Sequence, residues 1–184
     1  MKEIKLRGDK GCGKSIKVSD EDFEYLNRFK WYPHSGKYTT YAYASYHKDR
    51  MMYHLIMHRV VMKVTDPKVQ IDHIDGDGLN NQRSNLREAT NSENNMNKRK
   101  GKRSHRSKYK GVSYSMFRSG TNTTNDKIRY WRASCKKGNI SYHKLFKTEI
   151  EAALQYNKWA KELHGEFARL NDIPVCKLLL TEKS

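Results

Sequence analysis

Lys98 to Lys110 is the stretch that most restricts how this chain can fold. Its thirteen residues carry eight Lys or Arg, one His and no acid. Charges of one sign at that density cannot enter a core, so the run reads as an exposed linker or a phosphate-binding arm. A hydrophobic core cannot cross it, and separate modules are expected on either side. Only 36% of the 184 residues are hydrophobic, which fits small modules better than one large globule.

The basic run belongs to a wider excess. Lys and Arg number 37 and Asp and Glu 20, giving a formal charge of +17. The expected partner is a polyanion, with double-stranded DNA first. RNA is a weaker candidate, because no RNA-recognition signature is present. No apolar run is long enough to span a bilayer, so no membrane partner is expected. The start, MKEIKLRGDK, has no apolar core of a signal peptide. Cys12, Cys135 and Cys176 are odd in number and widely spaced, which argues against a disulfide scaffold or a cysteine zinc ribbon.

Patterning divides the chain further. Residues 1–50 read as a β-rich leader, with Ser19 or Asp20 capping a short helix through Leu26, and Trp31 and Tyr32 as core candidates. Residues 51–63, MMYHLIMHRVVMK, read as a helix ended by Asp66-Pro67. Val69–Ile74 and Asn85–Glu88 are strand candidates around a polar loop. Thr90 with Glu93 has capping-box spacing and starts a helix. Beyond the basic linker at 99–108, strands are expected within 109–146. Thr148 with Glu151 then caps a helix that ends at Gly165. Residues 109–172 make this second module, and 173–184 a tail.

The densest chemical signal is Ile71-Asp72-His73-Ile74-Asp75-Gly76-Asp77-Gly78-Leu79-Asn80-Asn81, followed by Asn85-Leu86-Arg87 and Asn94. An Asp beside a His at a strand end offers a hard oxygen ligand next to a base of near-neutral pKa. Phosphodiester hydrolysis needs both: a metal to clamp the phosphate and a base to activate water. Asn94, early in the helix opened by Thr90, could add a second ligand.

Residues 54–98 resemble the HNH (His-Asn-His) nucleases, in the phage and intron-encoded homing-endonuclease branch, through His58-Arg59, Asp72-His73, Asn80-Asn81, Asn85-Leu86-Arg87 and Asn94. The resemblance implies a ββα-metal module at 51–98. In it Asp72 and Asn94 bind the metal, His73 is the general base and Asn85 holds the loop and orients His73. Asn stands where the motif's last His would be, so an oxygen and amide site for one Mg²⁺ or Mn²⁺ is expected. His58-Arg59 reads as a fold or DNA-contact position.

Residues 107–171 resemble the plant-type ethylene-response (APETALA-family) DNA-binding domain. The resemblance rests on Tyr109-Lys110-Gly111-Val112, Trp131-Arg132-Ala133, Phe146-Lys147-Thr148, Glu151-Ala152-Ala153, Tyr156-Asn157, Ala160, Gly165 and Leu170-Asn171. It implies a three-stranded sheet laid in the major groove with a helix behind. Here His143-Lys144 replaces the family's usual Leu-Gly, and the first hairpin is lengthened at Ser119 to Asp126. Trp131, Phe146, Tyr156 and Trp159 are expected in the core.

The expected whole is an α+β protein. It is a metal-dependent, site-specific DNA endonuclease that nicks as a monomer or acts as a DNA-induced dimer. The resemblance places it in the cytoplasm of a bacterial host, on a phage or mobile element. Candidate DNA contacts are Arg59, Arg87, Lys98, Arg99, Lys100, Lys102, Arg103, Arg106, Lys108 and Lys110. In the second module they are Ser113, Tyr114, Arg118, Arg129, Arg132 and Lys144. The rival is a DNA-binding regulator on the same scaffold that does not cut. Gly8–Ser15, GDKGCGKS, matches a phosphate-loop pattern. It lacks the parallel α/β setting such a loop needs, so no nucleotide cofactor is expected.

Overall fold

Ile4, Ile16 and Val18 alternate with charged neighbours, and that period of two buries one face of a strand. The computed structural model describes residues 1–36, 39–101, 107–118 and 127–174, those at 116–118 and 127–129 by backbone alone. In it β1 (Lys2–Lys5) and β2 (Ser15–Val18) pair antiparallel, with Ile4 opposite Ile16. The GDKGCGKS segment is the connection of this hairpin. Ser19 opens α1 (Asp20–Leu26), three acids filling its first turn where the helix dipole favours them. Trp31 follows, fully buried, its Nε1 donating to the Leu26 carbonyl at 2.8 Å. Tyr32, expected beside it in the core, is 48% exposed. It begins β3 (Tyr32–Ser35), and alternation turns it away from the side that buries Trp31.

β3, β4 (Thr40–Lys48) and β5 (Met51–Ile56) form an antiparallel sheet in that order. Asp49 and Arg50 make the two-residue turn with φ of 51° and 62°, the left-handed geometry that matches strand twist. Two expectations change here. The helix read over 51–63 is a strand to Ile56, then the short α2 (Met57–Val61). An apolar run of this length suits either state, and the six residue pairs that β5 makes with β4 decide it. The module boundary placed at residue 50 falls inside this hairpin.

β6 (Gln70–His73) and β8 (Leu86–Ala89) pair antiparallel, with Asp72 opposite Arg87 and His73 opposite Leu86. Between them, β7 (Asn80–Asn81) adds to β2 in parallel. α3 (Asn91–Asn97) follows, and Thr90 and Glu93 close the expected capping box. One core serves this whole unit, Met1–Lys98. It joins Ile4, Ile16, Leu26, Trp31 and Ala44 of the leader to Met57, Val61, Ile71 and Leu86.

The second unit begins at Arg99. β9 (Val112–Arg118), β10 (Lys127–Lys137) and β11 (Ile140–Phe146) form an antiparallel sheet with β10 central. α4 (Glu149–His164) starts at the Thr148–Glu151 capping box and ends at Gly165, φ 57°. Ala152, Ala153 and Ala160 are fully buried, so the helix lies close on Ala133 and Val112. Tyr156 is buried as expected, while Trp131, Phe146 and Trp159 are partly buried at the core margin. Gly111, φ 71°, lies under the Tyr156 ring, where any Cβ would overlap that ring. Asn157 and Asn171 exchange two hydrogen bonds (2.9 and 2.7 Å), and Asn171 exchanges two more with the backbone of Lys110 (2.6 and 3.0 Å). The chain after α4 is thereby fastened to the start of the sheet. Among the described residues no helix is long and apolar enough to cross a membrane.

Candidate active site

Alternation along β6 sends Asp72 and His73 to opposite faces of the strand end. Both are 5% exposed. On one face, Asp72 meets α3 and β8. Arg87 donates to Asp72 Oδ2 through Nε (3.0 Å) and an Nη (2.8 Å). Asn97 Nδ2 reaches Oδ1 and Oδ2 at 3.0 Å each, and the carbonyls of His73 (2.9 Å) and Ile74 (3.3 Å). A buried carboxylate is thus matched by a cation and an amide, as burial of charge requires.

On the other face, His73 meets Asn81, His58 and Tyr41. Asn81 is fully buried, and its Nδ2 donates to the Gly78 carbonyl at 3.2 Å. That turns its Oδ1 toward His73 Nε2, 3.4 Å away. An acceptor at Nε2 assigns the ring hydrogen there and leaves Nδ1 as the basic nitrogen. Burial holds the imidazole below its ordinary value of 6.5, against the upward pull of Asn81, Asp75, Asp72 and Asp77. His58 stands edge-on to His73, ring centroids 5.2 Å apart, and Tyr41 lies 5.5 Å from His58 and 5.9 Å from His73. Burial, then the neighbouring His73 and Arg59, bring His58 down to about 3, so it is neutral across the working range.

The loop between the strands is built around Asn85. Its Nδ2 donates to Asp75 Oδ1 (3.0 Å) and to the Asn80 carbonyl (2.8 Å), and its Oδ1 accepts the Asp75 N–H (3.1 Å). Its own carbonyl accepts the Ile74 N–H at 2.9 Å. Burial would raise the Asp75 carboxyl, but bonds from the Asp77 N–H, Asn80 and Asn85, with His73 nearby, hold it below its ordinary value. Asn85 touches the loop, and the side chain on His73 itself is that of Asn81.

The structure brings together His73, Asn81, His58 and Tyr41 on one face and Asp72, Arg87 and Asn97 on the other. It does not bring Asn94 to Asp72. Asn94 Nδ2 donates to Gln70 Oε1 at 2.9 Å, one step earlier on β6, and the amide on Asp72 is Asn97, one turn later on α3. Asn97 was legible as the next residue on the same helical face (i, i+3). Tyr41, thirty-two positions before His73 in sequence, carried no local signal.

Several expected DNA contacts have internal partners. Arg59 donates to the Val69 (2.8 Å) and Asp66 (2.6 Å) carbonyls, holding the loop before β6. Arg87 is the partner of Asp72. Lys98 Nζ meets Asn95 Oδ1 at 2.5 Å, and Lys100 Nζ donates to the carbonyls of Tyr109 (2.8 Å) and Val112 (3.0 Å). Arg99 and Lys108 are exposed, with Lys108 Nζ 5.2 Å from the Tyr109 ring centroid. Burial and then Arg169 pull the Lys110 ammonium down to about 8. In the second sheet, Ala133 is opposite both Val112 and Lys144, and Trp131 is opposite Tyr114. Lys144 and Tyr114 therefore share the face that α4 covers, Lys144 lying exposed at its edge, 5.6 Å from the Phe146 ring. Arg132 and Ser113, one residue out of phase, belong to the open face. Lys102, Arg103 and Arg106 lie outside the described residues, as do the side chains of Arg118 and Arg129.

A family profile described as HNH endonuclease matches residues 57–96, which span α2, the β6–β8 hairpin and most of α3. The chain is 33% identical over 166 residues to an uncharacterised HNH endonuclease of Acanthamoeba polyphaga mimivirus, covering 89% of this chain and 78% of that protein. No solved structure matches it. With the Asp-His strand end, the asparagine-held loop and the capped helix in place, the chain belongs to the HNH endonuclease family and is a DNA-cleaving hydrolase.

Proposed function

We propose that the chain is a metal-dependent, site-specific endonuclease of homing type that hydrolyses one phosphodiester of double-stranded DNA per encounter. The observation that carries this reading is the buried His73, its Nε2 faced by Asn81, one residue from the carboxylate of Asp72. His73 Nδ1 takes a proton from water in line with the 3′-oxygen leaving group. Strands with 5′-phosphate and 3′-hydroxyl ends result.

The donor chemistry fits a hard divalent cation. Asp72 Oδ1 accepts a single hydrogen bond, from Asn97, and keeps an electron pair. The carbonyl oxygen of Asn94 has no partner among the described residues. Among those residues no three His, Cys, Asp or Glu side chains converge, as a zinc centre would need. Asp72 and Asn94 would hold Mg²⁺ or Mn²⁺, Asn94 leaving Gln70 to do so, while Arg87 and Asn97 fix the carboxylate. The ion, when bound, supplies positive charge against the developing leaving oxygen.

The open face of the second sheet, with Ser113, Arg132 and Lys136, supplies target docking in the manner of an APETALA-type domain. One active site per chain nicks one strand, and a DNA-induced dimer would cut both. The test is cleavage of supercoiled plasmid with Mg²⁺ or Mn²⁺ against EDTA, with His73→Ala in parallel. Open-circle product that needs both the metal and His73 supports the reading. Binding without cutting on any substrate, including the gene's own flanking DNA, moves the assignment to a silent regulator.

A further inference from the structure

Three rings from three distant parts of the chain meet at the candidate base. Tyr41 comes from β4, His58 from α2 and His73 from the end of β6. All three pairs of ring centroids lie between 5.2 and 5.9 Å, and the His58 and His73 planes cross at 83°. His58 packs edge-to-face with both His73 and Tyr41, at 83° and 73°, and such packing fixes ring orientation because each edge is held against a neighbouring face. The surroundings hold the cluster in turn. Arg59, next to His58, has its guanidinium on two backbone carbonyls, so the start of α2 cannot rotate freely. Gly78 lets the Asp75–Asn81 loop lie directly on Tyr41: a Cβ there would stand 2.8 Å from the Tyr41 ring and 2.5 Å from the Thr40 carbonyl. The Gly78 N–H also donates to Thr39 Oγ1 at 2.8 Å. His58 and Tyr41 further line a cleft of about 640 Å³ that Asn94 and Gln70 also line. Tyr41 and His58 thus border both His73 and the cleft.

We propose that His58 and Tyr41 are positioning residues for His73. They clamp the imidazole so that Nε2 stays on Asn81 and Nδ1 stays aimed for proton abstraction. This rests on His73 being the general base. It gives His58 a definite task in place of a DNA contact, one performed by ring shape and not by proton transfer. An imidazole whose Nε2 bond is as long as 3.4 Å is weakly held by that bond alone, so the ring clamp supplies the missing restraint.

The test uses the full chain and supercoiled plasmid with Mn²⁺, comparing His58→Ala, His58→Phe, Tyr41→Ala and Tyr41→Phe. Loss of the clamp lets the base wander by a fraction of its reach, which costs on the order of 10²-fold in rate. His58→Ala should therefore lose about that factor in kcat, with KM and DNA affinity within about twofold. His58→Phe, which keeps a ring but no nitrogen, should recover most of the loss, and Tyr41→Phe should recover most of the loss seen in Tyr41→Ala. In ¹⁵N NMR of the imidazoles, His73 should show one tautomer in the native protein and in His58→Phe, and averaging between two in His58→Ala. That readout needs no cleavage. Two results overturn the proposal: His58→Phe as inactive as His58→Ala, which would make the His58 nitrogen chemically active, or His58→Ala with unchanged kcat and unchanged His73 tautomer. Failure of the nuclease reading is separate, since there the native protein does not cut or His73→Ala cuts equally well.

Discussion

Asn81 Oδ1 faces His73 Nε2 at 3.4 Å while the Asn81 amide nitrogen is committed to the Gly78 carbonyl. The backbone bond decides which end of the amide His73 sees, so the tautomer of His73 is set by a loop carbonyl three residues away. Replacing Asn81 by Asp keeps the shape but puts a negative charge beside Nε2. A carboxylate there favours the imidazolium, so His73 stays protonated to higher pH. Asn81→Asp should therefore shift the acid limb of the cleavage profile to higher pH by one unit or more, roughly the effect of an adjacent opposite charge. The measurement is kcat/KM of plasmid nicking from pH 5.5 to 9 in both proteins. An unmoved acid limb would show that Asn81 does not act on the group that titrates in cleavage.

The Asp72–Arg87 pair is nearly enclosed, with side-chain exposures of 6% and 13%. Taking away one partner of such a pair leaves the other charged and buried. Arg87→Met should thus destabilise the N-terminal unit by about 3 kcal/mol or more, in the range for broken buried pairs. Asp72→Asn should destabilise it as well, because the Arg87 guanidinium cannot shed its charge and is left buried without a carboxylate. Urea unfolding curves of both variants decide the matter. If Arg87 contacts DNA instead, Arg87→Met would unfold at the native midpoint and lose affinity, with a shallower salt dependence.

Legibility followed sequence distance. The capping boxes at Thr90–Glu93 and Thr148–Glu151 and the Gly165 stop are local chemistry, and each stands in the structure as the sequence implied. The Asp72-His73 pair and the Asn85 loop staple were readable because all their atoms lie within fifteen residues. The Met51–Val61 stretch was not, because its state depends on hydrogen bonds offered by Thr40–Lys48, and an apolar run carries no record of its partner. Tyr41 escaped for the same reason, and His58 was singled out without its partner, since their meeting with His73 is made by the whole N-terminal core. Lys144 was read as a groove contact from its charge alone, without the phase of its strand. Once the register puts it opposite Ala133, its face is fixed.

His58 also makes stability depend on pH, and the sign follows from its burial. The folded protein holds His58 at about 3, below the ordinary 6.5, so the unfolded chain takes the proton first as pH falls. Its stabilising contribution is complete above pH 6.5 and is lost progressively toward pH 3. Between pH 6.5 and 5 the loss is about 2 kcal/mol by linkage at 1.4 kcal/mol per unit. Asp75, with an ordinary value of 3.8 that the loop lowers, acts only in a more acid window. His58→Phe cannot titrate, so its urea midpoint should fall less between pH 7 and 5 than that of the native chain. Part of the slope should remain, because His73 is shifted in the same direction. Equal slopes in the two proteins would show that His58 is solvated and charged in the folded state.

The second sheet offers a test in which two basic residues of one hairpin behave differently. Arg132 is exposed on the open face, opposite Ser113 and Leu145, with nothing of α4 over it. Lys144 is exposed too, but it shares the face of Ala133 and lies beside Phe146 at the edge α4 covers. If the open face meets the duplex, Arg132→Ala should weaken binding and lower the slope of log K against log salt by about one, the effect of one lost phosphate contact. A base contact by Arg132 would add a change in sequence preference worth about 1–3 kcal/mol at one position. Lys144→Ala should change neither affinity nor slope beyond about twofold. Fluorescence anisotropy on duplex DNA from 50 to 300 mM salt reads both. Equal losses from the two variants would mean that binding is diffuse attraction to the chain's net charge. A loss confined to Lys144→Ala would place the duplex along the edge beside Phe146, in contact with β11 and not with the open face.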